Sequence, residues 1–339
     1  MTRPLAQSLA VGLAYRLGRL AVVLLLVAAV AFSLAKISPI DPVNAYLGDD
    51  IARVGPEQKA LIAERWGLNE APLTQFVRWA QNILRGDLGY SMIYNAPVSE
   101  VIASRFWTSL PLVGLAWLLS GILGFALGVV AGANSGSWID RVIRVYAYVL
   151  SCAPTFWIAI LLLLAFAVFL GWAPVCCAGP IGVVPEDVTF SDRLRHLALP
   201  LAALTVFGVS QVALHTRAKM IEILNLDAAL YARAQGATKL DIVLRHGLRN
   251  AALPAVTILF ASLGELFGGS ILAEQVFSYP GLGQATVAAG IKGDVPLLLA
   301  ITLCLTLFVS VGNMIADMLY RLVDPRIRDG DLLTGGDHG

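Results

Sequence analysis

The sequence predicts an all-α, polytopic membrane bundle of six transmembrane helices, with an extended outer segment after the first and a charged cytoplasmic helix between the fourth and fifth. Three observations carry this. Apolar residues are 58% of the 339 and charged residues 14%, with mean hydropathy +0.75, whereas ordinary soluble domains carry about 25% charged residues. Six stretches approach the roughly 20 apolar residues that a span needs: 20–37, 106–131, 145–170, 197–214, 251–273 and 295–316. Lipid offers no backbone partners, so such spans are helices. Basic residues are also unevenly shared. Arg3, Arg16 and Arg19 precede the first span without an acidic neighbour, and Arg217, Lys219, Arg233, Lys239, Arg245 and Arg249 crowd the segment between the fourth and fifth. The loop after the third span holds only Arg193 and Arg195. The positive-inside rule then places both termini and the basic island in the cytoplasm.

Taken along the chain, residues 1–19 form a cytoplasmic N-terminus and 20–37 the first span. That span has the basic flank and small residues (Ala28, Ala29, Ala31) of a cleavable signal, but a retained anchor fits the basic island better. Residues 38–105 form an outer segment with amphipathic helices. Pro56 suits a first helical position, with Leu61, Ile62 and Trp66 following before Gly67, and a second helix runs from Pro72 to Gly86 with Leu73, Phe76, Val77, Ala80, Ile83 and Leu84 on one face. These pieces lie on the outer membrane surface or cover the bundle. Residues 106–316 form the five-helix core, with the cytoplasmic segment at 215–250, and 317–339 a cytoplasmic tail.

Within the core, Gly124, Gly128 and Gly132 recur every fourth residue, as do Gly264 and Gly268, and such faces let another helix approach closely. Pro111, Pro154, Pro200 and Pro254 fall near span entries, where kinks or ends are tolerated if neighbours rebond the freed carbonyls. Glu265 is a carboxylate well inside a span. A charge there costs about 2.5 to 3.5 kcal/mol, so it faces water, a partner or a pathway; the plainer reading is a protonated acid bonded to a neighbouring helix. Cys152 and Cys304 read as small buried hydrophobes. Adjacent Cys176 and Cys177 are poorly placed for a mutual disulfide and read as packing residues or as partners for another chain. His196, His215 and His246 sit at membrane boundaries without ligand spacing, so no metal site is expected.

The basic island is the most informative stretch. Asp227 is placed to cap a short helix of small and apolar residues, and Gly236 to end it in the left-handed conformation. Thr238 and Asp241 then form a capping-box pair for a second helix, with Asp241, Arg245 and Arg249 on one face and Leu240, Val243, Leu244 and Leu248 on the other. A helix as short as the first is marginal alone, so it rests against its own protein or a partner. No phosphate-binding loop, metalloprotease helix or nucleophile elbow occurs, so no catalytic residue is expected and any ATP-derived energy comes from another subunit. The net charge of +1 gives no reason to expect a nucleic-acid partner.

Several stretches, in order and spacing, resemble the permease subunits of bacterial binding-protein-dependent ABC importers, in the dipeptide, oligopeptide and nickel branch. They are Asp41-Pro42-Val43, Gly67-Leu68-Asn69, Gly86-Asp87-Leu88-Gly89-Tyr90-Ser91, Pro154-Thr155-Phe156-Trp157, Gly171-Trp172-Ala173-Pro174, the island with Leu253-Pro254, Val276-Phe277-Ser278-Tyr279-Pro280-Gly281-Leu282-Gly283 and Asp324-Pro325-Arg326-Ile327-Arg328. The resemblance covers almost the whole chain. It implies that Asp227, Tyr231, Ala232, Arg233, Ala234 and Gly236 belong to the coupling helix that engages the ATPase, although Leu230 stands where the wider superfamily carries a Glu. It implies a second homologous permease, two ATP-binding subunits carrying ATP and Mg, an outer solute-binding protein, and a bacterial inner-membrane location. No cofactor is implied on this chain itself, whose remaining partner is membrane lipid. The implied cargo is peptide first and nickel or a metal chelate second; Glu265 is the candidate pathway residue. A secondary transporter, which calls for charged or broken helices at the midplane, and a non-transporting scaffold are the readings from other classes.

Overall fold

The computed structural model describes residues 5–38, 41–47, 53–65, 68–184 and 186–323. Arg3, Trp66, Gly67 and the stretch Asp324 to Arg328, all used above, lie outside the described residues. Among the described residues four helices are long and apolar enough to cross a membrane, covering Ala14–Ile37, Val98–Ala133, Phe190–Leu224 and Val295–Ala316, and the number rises to six if each of two bent helix pairs is one span. Apart from one two-stranded hairpin the described elements are helices.

The chain divides into two compact units. The first takes the described residues up to Ser109 together with Pro280–Ser310. It holds α1 (Leu5–Ile37), α2 (Pro42–Leu47), α3 (Pro56–Arg65), α4 (Pro72–Leu84), the hairpin β1 (Tyr90–Ser91) and β2 (Ala96–Pro97), the start of α5 (Val98–Ala133), and, from the C-terminal half, α13 (Leu282–Lys292) and the first part of α14 (Val295–Val323). Val98, Ile102, Leu282, Ala285, Leu297 and Ile301 form its core. Asp294 organises the loop side of this unit. It is 1% exposed, and one carboxylate oxygen caps α14 by accepting from the Leu297 N–H at 3.2 Å. The other accepts from the Ser91 hydroxyl at 2.7 Å and from the N–H groups of Met92 and Ile93 at 2.9 and 3.2 Å, which fixes the hairpin to the helix start. The amphipathic face of α4 is half covered: Phe76 meets Phe32 of α1 edge-on at 5.3 Å, while Leu73 and Leu84 stay exposed.

The second unit takes Leu110–Tyr279 and the described residues from Val311. It comprises the rest of α5, α6 (Trp138–Cys152), α7 (Thr155–Leu162, continued by a π-helical stretch, Leu163–Phe169), α8 (Phe190–Leu224), α9 (Asp227–Ala234), α10 (Lys239–Ile242, continued by a π-helical stretch, Val243–Gly247), α11 (Leu248–Ala261), α12 (Leu263–Val276) and the end of α14. Leu112, Ala116, Ala159, Leu204, Ala273 and Phe277 are buried together in its main cluster.

The contact between α5 and α8 follows the four-residue spacing seen in the sequence. A Cβ at Gly124 would lie 2.9 Å from the Val209 carbonyl oxygen, one at Gly128 2.6 Å from that of Ala213, and one at Gly132 2.8 Å from that of Arg217. The stripe continues to Ser120, whose hydroxyl donates to the Thr205 carbonyl at 3.2 Å. Backbones this close leave no room for a side chain, and the reward is dispersion contact along four turns.

Five expectations need correction. The third span is not one helix over 145–170: α6 and α7 meet at 107°. Ala153, ahead of a proline, is driven to ψ 130, and Pro154 supplies the residue that opens α7. The fifth span likewise bends by 49° at Ser262. Near that bend the Leu259 carbonyl accepts from the Trp117 indole at 2.8 Å and from the Ser262 hydroxyl at 2.9 Å. Gly268 makes no close approach, having nothing within 4 Å of a built Cβ, and Gly269 instead faces Thr155 and Leu204 at 3.4 and 3.5 Å. Cys176 and Cys177 are bonded to each other. Their loop is pinned by Cys177 N–H to the Phe277 carbonyl at 2.9 Å and by His196 Nδ1 against the Cys176 carbonyl at 2.8 Å, with Cys177 left-handed at φ 76. Cys152, taken as buried, is exposed in the isolated chain.

Gly128→Leu forces a side chain into the Ala213 backbone and should lower the thermal unfolding temperature of the detergent-purified chain, at a cost of about 1 to 3 kcal/mol or more. Gly268→Ala, with open space around it, should leave that temperature within error; equal effects would show that the α5–α8 approach is not what holds this unit.

Candidate functional site

The basic island folds as two short helices hung from the end of α8. The first, α9, begins one residue earlier than a cap at Asp227 requires: Leu226 occupies the capping position without a side-chain bond, and Asp227 is the first helical residue. The carboxylate therefore acts on the helix start through its charge alone. The helix ends as expected at Gly236, with φ 91. Gly236 N–H donates to the Arg233 carbonyl at 2.9 Å and Ala237 N–H to the Ala232 carbonyl at 3.0 Å, the paired bonds of a Schellman motif. Ala232 and Ala237 supply its apolar contact by packing on one cluster. Arg233 folds back to donate to the Leu224 carbonyl at 3.2 Å, satisfying a carbonyl at the end of α8.

Ala229 points one side of α9 inward and is 5% exposed, whereas Leu230 is 50% and Tyr231 67% exposed. Asp227, Arg233, Ala234 and Gly236 are exposed too, and Ala232 is half-buried. The outer face of this helix is thus a small apolar ledge edged by one acid and one base. Beneath it Met220, Ile223, Leu224, Ile242, Val243 and Ala251 close a compact foundation.

The second helix opens with the capping box foreseen in the sequence. Thr238 Oγ accepts from Asp241 N–H at 3.2 Å, and the Asp241 carboxylate accepts from Thr238 N–H at 3.1 Å and from its hydroxyl. Its buried face differs from the one expected. Val243 is buried as expected and Leu248 half-buried, but Leu240 and Leu244 are 66% and 54% exposed, and Ile242, Gly247 and Ala251 are buried in their place. The π-helical stretch at Val243–Gly247 advances the register by one residue, and Gly247 lets Met220 approach to within 2.9 Å of where its Cβ would be.

One residue of this region went unnoticed in the sequence. Asp140, on the first turn of α6, is fully buried. Its carboxylate accepts two bonds from Arg217 of α8, Nη2 at 2.8 Å and Nε, together with the Gly136 N–H at 2.9 Å. Arg144 stands 3.5 Å away. Lys239 also reaches Asn134 of the same corner at 3.5 Å. The Ser137-x-x-Asp140 spacing is legible as a cap, and Ser137 does accept from Asp140 N–H at 3.3 Å. Nothing local announces Arg217, 77 positions on. A bidentate Arg–carboxylate pair fixes both distance and angle, so the α5–α6 corner, the end of α8 and the base of the island are held as one piece.

Glu265 lies on α12, at some distance in sequence from the island, and its side chain is exposed in the isolated chain beside exposed Gly264 and Gly268. Among the described residues no group of three or more His, Cys, Asp or Glu side chains is arranged to hold a metal ion. At the other end of α12, Tyr279 is buried, and burial pushes its hydroxyl pKa up, with the Glu274 charge adding and Arg193 opposing.

Breaking the Asp140–Arg217 pair from one side leaves a buried charge, which costs about 3 to 5 kcal/mol. Asp140→Ala and Arg217→Ala should each lower stability strongly, and the double variant should lose less than their sum in a denaturation cycle; strict additivity would show that the two groups do not act as a pair.

Comparison with known proteins agrees with this layout. Residues 124–329 match the family model described as the binding-protein-dependent transport system inner membrane component, and residues 12–113 match the model of the N-terminal part of such membrane components. The chain is 33% identical over 306 residues to the oligopeptide transport system permease protein AppB of Bacillus subtilis (strain 168), covering 90% of this chain and 95% of AppB. It is 34% identical over 305 residues to the glutathione transport system permease protein GsiC of Salmonella paratyphi A, covering 90% and 94%. Among solved structures, a chain of the MetNI methionine ABC transporter in inward-facing conformations superposes with TM-score 0.52 at 19% identity, covering 67% of this chain and 97% of that one, a likeness of fold. The chain therefore belongs to the family of inner-membrane components of binding-protein-dependent ABC transport systems, the non-catalytic permease subunits of importers.

Proposed function

We propose that this permease carries peptides across the bacterial cytoplasmic membrane, as one half of a pore completed by a second homologous permease. Two ATP-binding subunits, holding ATP and Mg, sit beneath it, and an outer solute-binding protein delivers cargo. Both termini and the island face the cytoplasm, as the distribution of Lys and Arg favours. The names of the relatives, oligopeptide and glutathione permeases among them, support a peptide cargo.

The observation that carries the coupling role is the build of α9. Its outer face is exposed, its inner face rests on a closed apolar foundation, and its end is locked by the Gly236 turn. An isolated eight-residue helix would fray, but one seated on a packed foundation and locked at its C-terminal end can transmit force. Closure of the ATPases pushes on Leu230, Tyr231 and Ala234, and the Asp140–Arg217 pair passes that displacement to α6 and α8 together. Two global states are required, and the ATPases must bind one of them better by the whole of the coupling free energy.

Glu265 is the pathway candidate on this reading. An exposed carboxylate on an apolar helix beside two glycines suits a water-filled cavity, where it favours cargo bearing a positive charge.

Reconstituted with its partners, Gly236→Pro should lose most peptide uptake while ATP hydrolysis continues, because proline removes the N–H that bonds Arg233 and fixes φ near about −65°. Insertion into the membrane should be unchanged; full uptake would remove α9 from the coupling path. For Glu265→Gln, uptake of cationic peptides should fall more than uptake of anionic ones, and identical rates for every cargo would make the acid structural.

A further inference from the structure

Two cavities of the first unit adjoin at the C-terminal end of α1. One is a groove of about 640 Å³ walled by Leu26, Val30 and Leu34 of α1 and by Gly290 of α13 and Leu298 of α14. The other is a basin of about 920 Å³ lined by Lys36, Lys59, Arg78 and Trp79, with Asp41 as the acid among its lining residues. Ala35, Ser38 and Val295 line both, so the two adjoin, hydrocarbon on one side and charge on the other.

The two ends call for opposite chemistry. In the groove almost every side chain is aliphatic, and a water there would lack the two to four polar partners that about every buried water needs. In the basin positive charge is in excess. Asp41 is occupied by the Val43 N–H at 3.0 Å and the Asn44 amide at 2.6 Å, and Arg78 by Glu70 at 2.7 Å. Lys59 reaches the Asn44 amide oxygen at 3.3 Å, and Lys36 lies 5.8 Å from the Phe32 ring centre. The Trp79 indole N–H is buried with no hydrogen-bond partner among the described residues. Phe32, Phe76 and Trp79 cluster at this level with centroid separations of 5.3 to 6.2 Å. Aromatic residues gathered at the end of a span mark headgroup depth.

We propose that this is a binding site for an anionic phospholipid, with one acyl chain in the groove and the phosphate in the basin beside Lys36, Lys59 and Trp79. A soluble anion has no use for the groove, and a hydrocarbon alone leaves the basin cations and the indole N–H unanswered. The lipid belongs to the leaflet on the side of α2 to α4, and holds the first span against the α13–α14 corner.

Native mass spectrometry of the full chain in mild detergent tests this, with phosphatidylglycerol and phosphatidylethanolamine of matched acyl chains as probes. Wild-type protein should retain phosphatidylglycerol preferentially. Lys36→Gln with Lys59→Gln should weaken that binding about thirtyfold, the scale of removing two cations near a membrane surface, and leave phosphatidylethanolamine unchanged. Gly290→Phe should weaken both lipids; with nothing within 4 Å of a Cβ there, the ring has the groove to enter, and circular dichroism checks that the helices remain. Glycerol phosphate should not displace the lipid. Equal retention of both lipids by wild type, no effect of the paired Lys variant, displacement by glycerol phosphate, or loss of lipid on adding the sister permease would each overturn the proposal, the last two by assigning the site to a free phosphate or to a subunit interface.

Discussion

The close approach of α5 to α8 is the contact on which the second unit depends. Lipid tails are as apolar as leucine, so burial of hydrocarbon gives helices in a membrane little reason to associate, and contact distance has to do the work instead. Glycines at 124, 128 and 132 remove the side chains that would hold the backbones apart. Thr216 and Met220 then fill what little space remains, and Met220 in turn reaches Gly247 and the foundation under α9. The tight seam and the exposed island are thereby parts of one packed column.

The second governing constraint is that a helix interrupted in an apolar setting must find partners for the groups it frees. Near the α11–α12 bend Trp117 and Ser262 supply donors to one carbonyl. The π-helical stretches after α7 and α10 absorb an extra residue while keeping backbone bonds within the chain. The same demand explains Asp140 and Asp294, two buried carboxylates at helix starts that each accept three or more bonds. Both tie an element near in sequence to one far away, which is where a folded membrane protein needs charge.

For a permease driven by a separate motor, this architecture divides labour sensibly. The short helix α9 presents an exposed outer face on a closed apolar foundation, with its C-terminal end held by the Gly236 turn. The Asp140–Arg217 pair holds α6 and α8 to one another, because a bidentate guanidinium resists rotation as well as separation. Glu265 stands on a different helix, on a face that the isolated chain leaves open.

Local order was readable without coordinates wherever it depends on neighbours in the chain. The apolar runs, the four-residue glycine spacing, the left-handed stop at Gly236 and the Thr238–Asp241 box all express interactions within a few residues, so pattern alone reveals them. Pattern failed where distant segments arbitrate. Leu240 and Leu244 look buried by helical period, but a π turn shaped around Met220 rotates them out. Pro154 lay within a single apolar run read as one span and proved to split it, since hydropathy averages across a break that backbone geometry imposes. Asp140 gave no sign of its role until folding brought Arg217 to it, and Cys176 and Cys177 are joined in a loop that the Phe277 carbonyl and His196 hold from remote parts of the chain. Short-range hydrogen bonding and solvent preference are written residue by residue, whereas the pairing of charges and the phase of a distorted helix exist only once remote parts of the chain have met.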